Sequence, residues 1–242
     1  MLQSYGTGWK SASFLAQERQ LFGAPGGIFH DWDLKTNIDG LYAAGDQLFA
    51  SDCAGFAAAT GYYAGRKAAA AAEKTGLLSP DETQISIEKE RIYAPFFREH
   101  GVHWKELNMA IAKAMRNYCG AVKNEELLSE GLSLLSSYEE EIVPELSCDN
   151  PRDLARTHEV MDILTVRRII MEACRMRTSG AKALYFERTD YPETDPPEDA
   201  HFITIRQEDG AVIRGDVPFG YYGDLEEEYE KRNQDYIKRG GK

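Results

Sequence analysis

The chain has 242 residues, 43% hydrophobic and 28% charged, with a formal net charge of −12, an ordinary globular composition with room for one good-sized core or two small ones. That acidic balance argues against nucleic acid, which needs a basic face, and against binding to anionic membrane surfaces. No uninterrupted apolar run approaches the ~20 residues that span a bilayer, so no direct membrane insertion is expected. Met1 to Lys10 is polar and glycine-containing, unlike a signal peptide. The four cysteines (Cys53, Cys119, Cys148, Cys174) are scattered without CxxC spacing. They read as reduced thiols of a cytoplasmic protein, not as a disulfide framework or an iron–sulfur or zinc site.

Residues 1–76 read as a first unit. Ser11 to Leu21 is a candidate helix, Ile28 to His30 a strand after the turn at Pro25-Gly26-Gly27, and Asn37 to Gly40 a turn feeding a second strand, Leu41 to Ala44. A helix from about Cys53 to Glu73 follows, lined by Ala54, Gly55, Ala57, Ala58, Ala59, Gly61, Ala64 and Gly65, with Gly76 as its C-cap. Small residues let such a helix lie almost against a backbone or a flat ligand. Asp46, at the carboxyl end of the second strand, can accept bonds from sugar hydroxyls, and a helix N-terminus just beyond it offers free N–H groups. The layout fits a cofactor rim. The plainer alternatives are a turn or N-cap role for Asp46 and helix packing for Gly55.

Residues 77–182 read as a helical bundle. Ser79-Pro80-Asp81 suits a helix start, and Ile87, Ile92, Phe96 and Phe97 give an apolar stripe that Pro95 should kink or break. Trp104, Leu107, Ala110, Ile111, Ala114, Met115 and Tyr118 keep the spacing of an amphipathic helix. Glu126 to Ile142 gives a second and Arg152 to Arg177 a third, after Pro144 and Asn150-Pro151. Short loops between about three such helices make an antiparallel bundle. Glu99, His100 and His103 have helix-compatible spacing, but Gly101 between them disfavours a metal site.

Residues 183–242 change character into an α+β tail. Leu184-Tyr185-Phe186 suggests a strand, Pro192, Pro196 and Pro197 an irregular acidic loop, and Phe202 to Arg206 with Ala211 to Arg214 a hairpin. Leu225 to Lys238 is a charged helix with Leu225, Tyr229 and Tyr236 on one side, resting on the body. The fold class is therefore mainly α with small α+β parts.

Two segments carry a resemblance. GGIFHDWDLKTNIDGLYAAGD with the helix ending GRKAAAAA (26–72) is similar to the closing segment of the flavin-binding domain in fumarate reductase/succinate dehydrogenase flavoproteins, a family that includes L-aspartate oxidase and the adenylylsulfate reductase flavoprotein subunit. CRMRTSGAKALYFERTDYPETDPPEDAHF (174–202) is similar to that family's C-terminal SRG…R.DYPE.D segment, about three residues longer between Gly180 and Arg188. Glu106-Leu107, Met115-Arg116, Gly120 and Gly131-Leu132 between them follow the same pattern.

The resemblance implies an FAD-dependent oxidoreductase that passes electrons onward, often through an iron–sulfur subunit. It assigns Asp46 to the flavin's ribityl chain and Gly45, Gly55 and Phe56 to the cofactor edge. Arg177, Arg188, Asp190 and Tyr191 fall in the second match, where an arginine bridging to Asp190 across the domain boundary is favoured over one facing the flavin. The family's substrate-binding arginine is not present: Ala50-Ser51-Asp52-Cys53-Ala54 stands in its place, which leaves the substrate and the catalytic residues unassigned. Neither Gly6-Thr7-Gly8 nor Gly23 to Gly27 follows a strand and opens a helix as a GxGxxG turn does. The expectation is of a C-terminal piece that does not hold FAD by itself, is inactive alone, and is completed by an N-terminal flavin-domain region. The small-residue face should then favour self-association. The alternative is a non-catalytic docking module for an iron–sulfur redox subunit.

Overall fold

The computed structural model describes residues 26–48, 53–77, 79–181, 186–199, 201–209 and 211–238. The expected helix at Ser11 to Leu21, the Gly6 and Gly23 turns, residues 50–52 and Leu184-Tyr185 lie outside them. The chain divides into two compact units, up to Ser79 and from Pro80 onward.

In the first unit, Gly26 to His30 is extended, but it is not the expected strand. One bond, from the Ile28 N–H to the Gln47 carbonyl (2.7 Å), ties it down. Gly27 is needed there, because a Cβ would lie 2.5 Å from the Gln47 oxygen. The Asp31 carboxylate then accepts from the N–H groups of Asp33 (2.8 Å) and Lys35 (3.0 Å), closing a turn with Leu34 at φ +61°. The turn through Gly40 (φ +80°) forms as anticipated. Leu41 to Ala44, in contrast, makes only a single antiparallel bridge, Lys35 to Tyr42. A strand needs a ladder on a neighbour, and no such neighbour lies among the described residues of this unit. Helix α1 (Cys53–Thr75) ends at Gly76, φ +72°, as its sequence indicated.

The second unit opens with α2 (Glu82–Tyr93), N-capped by the Asp81 carboxylate on the Thr83 and Gln84 N–H groups. Pro95 stops it as expected, turning the chain into a 3-10 segment, Ala94–Phe97. The apolar stripe is a different matter: Ile87 is 62% exposed and Phe97 78%, and α2 buries no residue.

The bundle proper consists of α3 (Trp104–Tyr118), α4 (Glu125–Ser137) and α5 (Pro151–Met176). His103, Asn124 and Asn150 cap their N-termini through side-chain acceptors, and Pro151 occupies the first turn of α5. The helix expected to reach Ile142 stops earlier. It passes through a π turn at Tyr138–Ile142 and a 3-10 turn at Val143–Glu145 around Pro144. Leu107, Ile111, Ala114, Leu132, Leu135, Leu146, Val160, Leu164 and Met171 form the core. Gly131 permits the closest approach: a Cβ there would meet Tyr118 Cβ at 2.6 Å and Met171 Sδ at 2.9 Å.

Two very short parallel pairs fix the helix directions. β1 (Val102–His103), leading into α3, pairs with β3 (Leu146–Ser147), leading into α5. The Trp104 indole N–H donates to Asp153 at the same end (3.2 Å). Beyond α3, β2 (Val122–Lys123) pairs with β4 (Glu187–Arg188), beyond α5. Hence α3 and α5 run the same way and α4 returns against both, the antiparallel arrangement anticipated from the loops.

The tail belongs to this same unit. Phe186 bridges to Ala181, and the proline-containing run is tied by the Ser179 hydroxyl on Asp195 (2.6 Å) and the Gly180 N–H on the Glu193 carbonyl (2.6 Å). The hairpin is longer than its sequence suggested: β5 (His201–Glu208) pairs with β6 (Ala211–Pro218) along all eight residues. Arg214 anchors it to Glu172 of α5 (2.5 Å). The charged helix is α6 (Leu225–Lys238), whose Tyr229 is 56% exposed.

Candidate functional site

The first candidate is the turn at Gly45–Gln47 and the start of α1. Gly45 is buried at φ +64°, and a Cβ would sit 3.4 Å from that of Ala57. Its N–H donates to Thr60 Oγ1 (2.9 Å), which in turn donates to the Phe56 carbonyl (2.7 Å). The turn is thus stitched onto the second turn of α1, and Gly45's N–H is already engaged. Thr60 does this work and carries no motif that would have singled it out. Asp46 is exposed and makes no hydrogen bond or ion pair among the described residues. Gly55 is exposed with nothing within 4 Å of a Cβ, while Phe56 is half-buried. Of the small residues lining α1, Ala64 is buried, but Ala54, Ala57, Ala58, Ala59, Gly61 and Gly65 are exposed. Apart from Ala57 against the Gly45 turn and the buried Ala64, the close packing expected of them is not seen among the described residues.

The second candidate is the segment around Arg188, which is fully buried. Its guanidinium binds both carboxylate oxygens of Asp190 through its Nε/Nη2 edge (2.8 and 2.6 Å) and aims Nη1 at three carbonyls ending α5: Cys174 (2.7 Å), Arg175 (3.2 Å) and Arg177 (2.7 Å). Asp190 Oδ2, which takes the Nη2 bond, also accepts the Glu125 N–H at the start of α4 (2.9 Å). One ion pair therefore caps the C-terminus of α5 and the N-terminus of α4, complementing both helix dipoles. The Arg188 guanidinium holds the Asp190 carboxyl down at about 2. Tyr191 lies over Arg188 (5.0 Å to the ring), and Arg177 stacks on Phe186 (5.1 Å). This is the structural bridge favoured from sequence. The carbonyl cap could not be read there, because it depends on where α5 ends in space. His103, from the Glu99/His100/His103 spacing, caps the Lys105 N–H (3.2 Å).

The bundle with its paired ends, the carbonyl-capping arginine and the hairpin make up a mainly helical unit. Residues 108–214 match the family described as the fumarate reductase flavoprotein C-terminal domain. Adenylylsulfate reductase from Archaeoglobus fulgidus shares the fold over 77% of the chain and 33% of its own, at 21% identity and TM-score 0.66. Escherichia coli quinol fumarate reductase does so over 79% and 36%, at 20% and 0.67. The Mycobacterium smegmatis Sdh1 complex does so over 84% and 38%, at 20% and 0.58. The chain spans about a third of the length of these proteins. A search of curated proteins finds no match.

Proposed function

We propose that the chain is the C-terminal region of an FAD-dependent oxidoreductase of the fumarate reductase/succinate dehydrogenase flavoprotein type, acting in the cytoplasm and passing electrons to an iron–sulfur subunit. The observation that carries this reading is the family match over residues 108–214, preceded in order by the Gly45-Asp46 turn and its small-residue helix. The residues present fit one edge of a flavin. The Asp46 carboxylate stands without a partner among the described residues, and the surface over Gly55 is open. Bound FAD would supply hydride acceptance. Asp46 would accept the ribityl hydroxyls, Gly45 would set the turn that aims it, and Gly55 and Phe56 would lie against the ring edge. The remaining walls would come from a GxGxxG-bearing flavin-domain segment. With an acid or a neutral residue in place of the family's arginine, no dicarboxylate substrate is proposed.

The test is reconstitution with that N-terminal segment. The complex should turn yellow and show flavin absorbance, whereas the chain alone should hold no FAD. Asp46→Ala should lower FAD retention by roughly tenfold or more, the worth of one charge-assisted hydrogen bond. A folded complex that never takes up flavin would overturn the reading. The alternative, a non-catalytic docking module for an iron–sulfur subunit, draws on the second unit having a core of its own. It gains if residues 80–242 capture such a subunit without any flavin present.

A further inference from the structure

The C-terminal ends of α3 and α5 bring two thiols together. Cys119 caps α3, its N–H on the Met115 carbonyl (2.9 Å), and Cys174 lies in the last turn of α5. They are 55 residues apart in sequence, yet their sulfurs are 3.7 Å apart, with the Cys119 thiol donating to Cys174. A disulfide bond of ~2.05 Å is thus less than about 2 Å of movement away. Both residues are only part-buried, whereas Cys148 is buried.

The surroundings divide the two thiols by charge. The Cys119 hydrogen bond, then Lys123, Arg188 and Arg177, draw Cys174 down to about 7 against the opposing effect of burial. Lys123 is itself only 4% exposed, its ammonium 4.1 Å from the centre of the Phe186 ring. Cys119 is pushed up, first by its bond to Cys174 and then by burial. When the pair loses one proton, the remaining one therefore stays on Cys119 and the negative charge falls on Cys174, and a thiolate is the reactive form.

We propose that Cys119 and Cys174 form a redox-reactive pair that hydrogen peroxide converts to a disulfide, stapling the C-terminal end of α3 to that of α5. The Cys174 thiolate attacks one peroxide oxygen. An S–O bond forms, the O–O bond breaks, and the departing hydroxide takes a proton to become water, leaving a sulfenic acid. The Cys119 sulfur then attacks Cys174 as its proton joins the leaving hydroxyl, forming the S–S bond and a second water. Two thiols are oxidised and one peroxide is reduced to two waters. The new bond closes a loop containing all of α4, beside the carbonyls that Arg188 caps.

The test treats the reduced full chain with one equivalent of hydrogen peroxide, alkylates remaining thiols in denaturant, and maps the peptides by mass. The expected product is a Cys119–Cys174 linked peptide, lighter by two hydrogens and cleaved by dithiothreitol, in a chain whose Tm rises by roughly 5–15 °C. Cys119→Ser should give no linked peptide, and Cys174 should instead trap dimedone as its sulfenic acid. Peroxide consumption without the linked peptide, or linkage of either residue to Cys53 or Cys148 in equal yield, overturns the proposal. The wild-type map decides the question even if the variant does not fold.

Discussion

The two units contain helices of similar length that are used in opposite ways. In the first, the buried positions among the described residues are His30, Thr36, Ala43, Gly45, Leu48 and Ala64, mostly small or polar, and α1 leaves its glycines and most of its alanines exposed. In the second, seven large or medium apolar side chains and Ala114 interlock across three helices, joined by Leu146 of β3. Burial of a Leu- or Met-sized side chain stabilises by about 1.5–3 kcal/mol, and an alanine offers far less area. The bundle therefore has the means to fold by itself. Among the described residues, the 26–77 segment is held by turn bonds, the Thr60 stitch and the contacts of Asp33 with Tyr63 and Lys67, and most of the small residues of its helix lie exposed. An alanine-rich helix and a leucine-rich one look alike in secondary structure, but only one of them is a core.

Amide hydrogen exchange should expose that contrast most strongly. Amides in α3, α4 and α5 should approach global protection, while α1 and residues 26–48 should exchange orders of magnitude faster. Uniform protection across both would break the comparison. Next comes Arg188→Met, which strands the Asp190 carboxylate and three carbonyls. Urea melts should show a loss of about 3–5 kcal/mol, confined to the second unit. A loss below about 1 kcal/mol would show that water replaces the cap. The smallest effect is the acid limb. Asp190's folded value lies below its ordinary one, so its stabilisation is fully present above pH ~4 and is lost as pH falls through about 2. With its side chain 28% exposed and screened accordingly, that amounts to about 1–2 kcal/mol. Asp190→Asn should flatten this limb in pH-dependent melts.

Much of the bundle was legible because its signals are local. Leu107, Ile111 and Ala114 keep the helical period, Pro95 stops a helix wherever it stands, and Asn150-Pro151 is a start signal in any context. The misreadings share a cause. Ile28 to His30, Leu41 to Ala44 and the Ile87–Phe97 stripe have the right composition, but a strand or a buried face is completed only by a partner elsewhere. The two-residue pairs β1–β3 and β2–β4 are too short to leave any pattern. At the candidate rim, Gly45 and Asp46 stood out through a family likeness. Thr60, which holds the turn in place, carries no motif, and the meeting of Cys119 with Cys174 is a product of helix ends converging, which no spacing encodes.

The paired ends make α3 a strut of fixed length. From Trp104 to Cys119 the helix spans about 22 Å, whereas from Asp153 to Cys174 α5 spans about 31 Å at 1.5 Å per residue. Both pairs of points nevertheless meet, so inclination of the helices and the reach of the joining side chains must absorb the difference. A single residue inserted into α3 would swing its far end by about 100°, carrying Cys119 away from Cys174 and β2 out of register with β4. Length variation among related chains should therefore collect outside this strut.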